Sequence, residues 1–143
     1  MEATISLRLP RDAASVPMIR QMFDGTLRSL GVVAPIRDDI ELMLSEACSN
    51  VIRHAGRSEE YTVTAGVYDD RCVIKVVDTG AGFDPQAVGE PGPTAEGGRG
   101  LQIMRALADD VHFTNRREHG VVVCLEKKLR FVAGAPGRHL MAT

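Results

Sequence analysis

The stretch SEACSNVIRHA, residues 45–55, carries the polar pattern on which the fold assignment depends. It belongs to a longer segment whose apolar residues recur at helical spacing, so we predict a helix there. Glu46, Asn50 and His54 are four residues apart and share one face of that helix, and Arg53 lies beside them. A carboxylate and an amide oxygen at this spacing can hold a hard cation such as Mg²⁺ beside a nucleophile. A solvated polar face is the alternative interpretation of the same pattern.

Two glycine-rich segments follow, VDTGAGFDP at residues 77–85 and GGRGLQIM at residues 97–104. In the first, Asp78 ends an apolar strand and can accept a hydrogen bond from an exocyclic amine, while the glycines admit a planar base. In the second, glycines open a helix and expose backbone N–H groups that suit phosphates, with Arg99 available to a terminal phosphate. A capped glycine turn and an ordinary helix start are the respective alternatives.

The remaining patterns predict an α+β fold, a two-layer α/β sandwich in which helices cover one face of a mixed, mostly antiparallel sheet. We expect one domain over residues 1–130, followed by a flexible C-terminal tail at 131–143. In chain order we predict a strand at 4–9, a helix ending at Gly31, a helix from Pro35 to about Gly56, a hairpin of 61–68 and 71–77, a long lid-like loop at 79–98, a helix at 101–107 and a closing hairpin of 111–114 and 121–129.

Composition excludes some classes of function. The 143 residues carry a net charge of -2 with scattered basic residues, which argues against general nucleic-acid binding. No apolar run approaches the roughly 20 residues of a membrane span, and the N-terminus lacks a signal-peptide pattern, so we expect a cytoplasmic protein. Cys48, Cys72 and Cys124 lie in apolar stretches without metal-ligand spacing, and we predict that all three are small core residues.

In this order and spacing, the three polar segments resemble the N-box and the two glycine boxes of the GHKL ATPases. Their detailed form is similar to the stand-alone anti-sigma serine kinases of bacteria, over about residues 4 to 129. The resemblance implies the Bergerat fold, ATP bound between the helices and the lid, Mg²⁺, and a homodimer. It further implies that the protein sequesters a sigma factor and phosphorylates a serine of an anti-anti-sigma (STAS-type) antagonist.

The resemblance also implies roles for individual residues. Glu46 becomes the general base that takes the proton from the antagonist serine, Asn50 the Mg²⁺ ligand, and Asp78 the reader of the adenine amine. For His54, a structural role behind the N-box is the alternative to contact with the nucleotide. The other residues implied at the nucleotide are Arg53, Gly80, Gly82, Gly98, Arg99, Gly100 and Leu101, with Arg99 on the γ-phosphate.

One position departs from the family pattern, because Gly120-Val121 stands where the family often has Gly-Thr. The hydroxyl that reaches the nucleotide region is therefore missing, which bears on kinase turnover more than on ATP binding. The main alternative function is a regulatory module of the same fold that acts by protein contact without turnover. A sensor histidine kinase domain fits less well, because such domains follow a helical pair that we do not expect here. A nucleotide-free structural protein leaves the glycine clusters unexplained.

Overall fold

The computed structural model describes residues 2–54, 60–78, 97–116 and 120–141. Most of the predicted lid at 79–98 lies outside the described residues, and only its last two residues, which begin a helix, lie inside. The described elements are β1 (Glu2–Pro10), α1 (Ser15–Leu30), α2 (Ala34–His54), β2 (Glu60–Tyr68), β3 (Arg71–Asp78), α3 (Gly97–Leu107), β4 (Asp110–Arg116), β5 (Gly120–Lys128) and α4 (Pro136–Met141).

The strands form one five-stranded sheet in the order β1-β2-β3-β5-β4. Every neighbouring pair is antiparallel, so the sheet is antiparallel throughout its described strands and not mixed. Side chains alternate between the two faces of each strand, and on β3 the buried set is Cys72, Ile74, Val76 and Asp78. That face packs against the helices in one core, which confirms the predicted two-layer α+β sandwich.

Local sequence explains where α1 ends and where the chain turns between β2 and β3. Ile19, Phe23 and Leu27 recur every four residues and form the buried side of α1. The helix ends at Gly31, whose φ of 87° is left-handed and whose N–H donates to the Arg28 carbonyl. Asp69, with a φ of 54°, begins the two-residue turn that joins β2 to β3 in the predicted hairpin.

The glycine cluster opens helix α3 as we predicted, but the helix extends four residues beyond the predicted span 101–107. It begins at Gly97 and not at Leu101, so the glycine cluster forms its first turn. Low helix propensity of glycine hides this turn from sequence patterns. Packing supplies what propensity lacks, because Met104 is fully buried and Leu101 packs partly against the core.

The expected flexible tail is a packed segment over residues 131–141. Phe131 forms a β-bridge with Val32, and the Val132 N–H donates to the Gly31 carbonyl at 2.8 Å. Ala135 is buried beside Gly31, and helix α4 follows it. Sequence patterns missed these contacts because the bridge is isolated and α4 has only six residues.

The cysteine prediction holds for two of three residues. Cys48 and Cys72 are fully buried in the core. Cys124 is only partly buried, because it alternates along β5 with the buried Val123 and Leu125 and therefore lies on the opposite face of the sheet. Among the described helices, none combines the length and the apolar character that crossing a membrane requires.

The surroundings of Gly31 and Gly25 predict that adding a methyl group at these two positions has opposite effects on stability. Gly31→Ala adds a methyl group 2.2 Å from the Ala135 Cβ at a left-handed φ, and we expect a loss of about 2 kcal/mol or more in the free energy of unfolding. Gly25→Ala in α1 meets no atom within 4 Å and should gain about 0.5–1 kcal/mol. Urea unfolding of both variants measures the difference; an unaffected Gly31→Ala protein would contradict the contact between this segment and α1.

Candidate active site

Helix α2 has two faces with different tasks. Its buried residues are Ile36, Ile40, Met43, Leu44, Ala47, Cys48 and Val51, which pack into the core. This apolar set fixes the rotation of the helix, because each residue turns the helix by about 100°. Glu46 and Asn50 lie one turn apart and are half-buried, whereas Arg53 is exposed. The packing of α2 therefore places a carboxylate and an amide together at one edge of the buried face, where both side chains are half-buried.

Glu46 lies directly against the first turn of α3. A Cβ added to Gly100 would stand 2.8 Å from Glu46 Oε2, closer than real Cβ atoms approach an oxygen. Gly100 is itself buried. Glycine at this position therefore gives the carboxylate its space, and any side chain here would displace it.

The first turn of α3 offers donors that have no partner within the helix, next to that carboxylate. The N–H groups of the first four residues of an α-helix have no partner within the helix, and in α3 these residues are 97–100. With the positive end of the helix dipole, they form a typical site for phosphate oxygens. The backbone of Gly98 and Arg99 belongs to this turn, and the side chain of Arg99 lies outside the described residues.

Asp78 supplies a third polar group at the end of β3. Its side chain is fully buried, and together with Ser15 it makes up the buried polar residues of the described chain. The register pairs Asp78 with Tyr61 on β2. An ionisable group buried at a strand end is unusual, since burial of a charge is costly unless it has a task or partners.

The predicted site residues thus fall into three groups. Glu46 of α2 lies against Gly100 in the first turn of α3, which also contains Gly98, and Asn50 lies one turn from Glu46 on α2. Asp78 stands at the end of β3, which α2 also contacts. Gly80, Gly82 and the side chain of His54 lie outside the described residues.

Sequence reasoning missed Tyr61, which is fully buried beside Asp78. The signal was present, because Tyr61 and Asp78 lie equally far from the Asp69-Asp70 turn, and a two-residue turn fixes the pairing of its hairpin.

The donor set fits a magnesium ion that is shared with a substrate. Glu46 and Asn50 provide oxygen atoms, which Mg²⁺ prefers, but Mg²⁺ also keeps waters and uses phosphate oxygens. In the part of the chain that the structure describes, no group of three or more His, Cys, Asp or Glu side chains is arranged to hold a metal ion. The amide oxygen of Asn50 is suited to a metal that arrives with the phosphates of a nucleotide.

An apolar cavity of about 60 Å³ lies elsewhere, between α1 and the sheet. Phe23, Ala65 and Cys72 are among its lining residues, at the end of β3 opposite to Asp78. Such a lining offers little to a phosphate, so this cavity is not the candidate site.

The fold and the site have a counterpart among known proteins. The profile of the histidine kinase-like ATPase domain family matches residues 9–127, which include both α2 and α3. The sandwich and the site therefore define the class of protein as a histidine kinase-like (GHKL) ATPase domain.

Curated relatives narrow this assignment. The serine-protein kinase RsbW of Bacillus subtilis is 31% identical over 138 residues, covering 87% of this chain and 85% of the relative. The protein of the same name from Bacillus cereus is 29% identical, covering 88% and 85%. The chain therefore belongs to the histidine kinase-like ATPase family and, within it, to the type represented by serine-protein kinase RsbW.

A solved structure supports the fold alone. The histidine kinase domain of a blue-light activated histidine kinase from Erythrobacter litoralis aligns with a TM-score of 0.55 at 20% identity. The alignment covers 94% of this chain, and the chain spans 65% of that solved chain.

Burial in the core predicts how the thiols of Cys48 and Cys72 react. Burial raises the pKa of Cys48 to about 12, although a hydrogen bond to Tyr61 lowers it, and burial alone raises the pKa of Cys72 to about 12. At pH 8 a thiol with that pKa is about one part in 10⁴ thiolate, the reactive form. We expect a disulfide reagent to modify Cys124 first in the folded protein, and all three thiols after denaturation.

The matched control for this experiment is Cys124→Ser, which should remove the early reaction. Rapid modification of Cys48 or Cys72 in the folded variant would contradict their burial.

Proposed function

We propose that the protein is an ATP-dependent serine-protein kinase that also acts as an anti-sigma factor. It sequesters a sigma factor and phosphorylates a serine on an anti-anti-sigma (STAS-type) antagonist, as a cytoplasmic homodimer. The observation that carries the proposal is the contact of the Glu46 carboxylate with Gly100, which sets a base beside a phosphate-binding helix start. The name of the relatives, serine-protein kinase, supports the same activity.

In this proposal, the nucleotide lies between α2, α3 and the end of β3. N–H groups of Gly98 and Gly100 bind phosphate oxygens, with Arg99 at the γ-phosphate, and Asp78 accepts a hydrogen bond from the adenine amine. Gly80 and Gly82 shape the base pocket, while Arg53, His54 and Leu101 complete the site. Asn50 would hold Mg²⁺, which neutralises charge on the transferring phosphate when bound.

Glu46 then acts as the general base. A serine hydroxyl of the antagonist approaches the γ-phosphorus, the Glu46 carboxylate takes its proton, and the new oxygen–phosphorus bond forms as ADP leaves. Little other chemistry is needed from the protein, because phosphoryl transfer depends mostly on positioning and on stabilisation of charge. The close contact with Gly100 restricts where the carboxylate can lie, which serves such positioning.

One observation favours a second candidate function. Val121 replaces the residue that carries a hydroxyl in the family pattern, so one polar contact to the nucleotide region is lacking. A module that binds ATP and its protein partners without turnover would tolerate this replacement. Phosphate transfer, and not ATP binding, distinguishes the two candidates.

The first experiment tests the nucleotide site through Asn50. We would titrate ATP by calorimetry into the wild type and the Asn50→Ala variant, with Mg²⁺ and then with EDTA. Loss of the amide ligand should weaken Mg²⁺-dependent binding by about tenfold or more, the equivalent of about 1.4 kcal/mol. Gln21→Ala, at an exposed position of α1, is the matched control because it removes an amide away from the site. Equal affinity in the Asn50 variant would remove this residue from the site, and no binding by folded wild type would rule out the kinase.

The second experiment tests the base. Glu46→Gln keeps the shape of the side chain against Gly100 but cannot take a proton, so ATP binding should persist. Transfer of labelled γ-phosphate to candidate STAS-type antagonists should fall by about 10²-fold or more, the scale of a lost general base. The control is Glu41→Gln on the same helix, whose carboxylate lies 4.0 Å from Arg20 instead of facing α3. Wild-type transfer by Glu46→Gln would exclude the assigned role, and ATP binding without transfer by the wild type would favour the binding module.

A further inference from the structure

A line of polar side chains crosses the core behind the candidate site. The Tyr61 hydroxyl lies 2.5 Å from Ser15 Oγ, and Ser15 Oγ lies 2.7 Å from the Asp12 carbonyl oxygen. On its other side, the Tyr61 hydroxyl interacts with the Cys48 thiol of α2. Tyr61 and Cys48 have no exposed surface, and Ser15 is buried. The line therefore connects α2, β2 and the start of α1 inside an otherwise apolar region.

Counting donors fixes the direction of the two contacts that Ser15 makes in this line. A carbonyl can only accept, so Ser15 uses its one hydroxyl proton on Asp12. The Ser15 oxygen must then accept the proton of the Tyr61 hydroxyl. Each group has one role, and buried networks of this kind favour one arrangement of the elements that they join.

The elements that are joined carry the two halves of the candidate site. Cys48 lies midway between Glu46 and Asn50 in sequence and therefore on the opposite side of α2. Tyr61 is the cross-strand partner of Asp78, and both side chains point to the helix side of the sheet. Arg11, in the turn before α1, also donates to the Ile52 carbonyl at 2.5 Å in the last turns of α2.

We propose that Tyr61 is a positioning residue of the nucleotide site. Its hydroxyl sets the placement of α2, with Glu46 and Asn50, relative to the end of β3, with Asp78. The inference rests on the proposed function, because it assigns Asp78 to the adenine and α2 to the phosphates. Tyr61 acts through these residues and does not itself touch the nucleotide.

Tyr61→Phe tests this inference because it removes one oxygen and keeps the ring. We expect the Kd for ATP to rise by about fivefold, the scale of one impaired hydrogen bond. We also expect the ratio of the GTP Kd to the ATP Kd to fall by a similar factor, because Asp78 no longer meets the adenine amine well. A purely structural role would lower the melting temperature without changing this ratio. All titrations are made at a temperature at which thermal unfolding shows each variant to be folded.

The chain offers a matched control in Tyr68→Phe. Tyr68 is the other tyrosine of the sequence and lies in the same strand, but at its far end and 39% exposed. The Tyr68→Phe variant should leave both the Kd for ATP and the ratio of the GTP Kd to the ATP Kd unchanged. Ser15→Ala is the second test variant, because it removes the acceptor of the Tyr61 proton and keeps Tyr61 itself. It should change affinity and base preference in the same direction, and it replaces Tyr61→Phe if that variant does not fold.

The outcomes separate the inference from the proposed function. A lower base preference in a folded Tyr61→Phe or Ser15→Ala protein, with Tyr68→Phe unchanged, supports the positioning role. Wild-type affinity and base preference in the folded test variants would overturn that role alone. If the wild type binds no ATP, the proposed function fails, and the inference fails with it.

Discussion

The site depends first on the packing of α2 across the sheet. Its apolar residues, such as Ile40 and Leu44, fix the helix rotation, and a shift of one residue would turn the helix by about 100°. With that rotation set, Glu46 lies at the edge of the buried face against Gly100 of α3, and Asn50 lies one turn further along the same edge. Core packing and site geometry are therefore a single constraint: a substitution that rotates α2 moves the carboxylate away from the first turn of α3 even when it touches no functional residue.

The first turn of α3 shows what the close approach of α3 to Glu46 costs in helix stability. Each glycine in a helix costs roughly 1 kcal/mol relative to alanine, and the first turn of α3 contains three, at positions 97, 98 and 100. The packing of Met104 and Leu101 offsets this cost, because these residues hold the helix from its core side. A side chain at Gly100 would favour the helix but displace Glu46. The sequence thus gives up local stability where backbone and carboxylate have to meet.

Periodic elements were predictable, whereas contacts between distant segments were not. The β2–β3 hairpin and the end of α1 follow from alternation, a two-residue turn and Gly31. The glycine cluster was expected to open α3, but the predicted span began at Leu101 and not at Gly97, because the glycines carry no apolar period. The packing of Ala135 against Gly31 and the burial of Cys48 beside Tyr61 are tertiary contacts that no local pattern encodes. The spacing of Glu46 and Asn50 indicated a site on one helix face, but only the fold brings Gly100 to it.

The buried polar line at Tyr61 suits the phosphoryl transfer that we propose for this site. A core made only of apolar side chains would tolerate small shifts of a helix against the sheet, because apolar contacts have no preferred direction. A line of hydrogen-bond donors and acceptors tolerates such shifts less well, since a displaced helix leaves a buried polar group without its partner. Catalysis that depends on placing a base and a phosphate within fractions of an ångström gains from such intolerance. In the proposed kinase, the hydroxyl and thiol groups behind α2 would therefore hold the site more strictly than apolar side chains of the same volume.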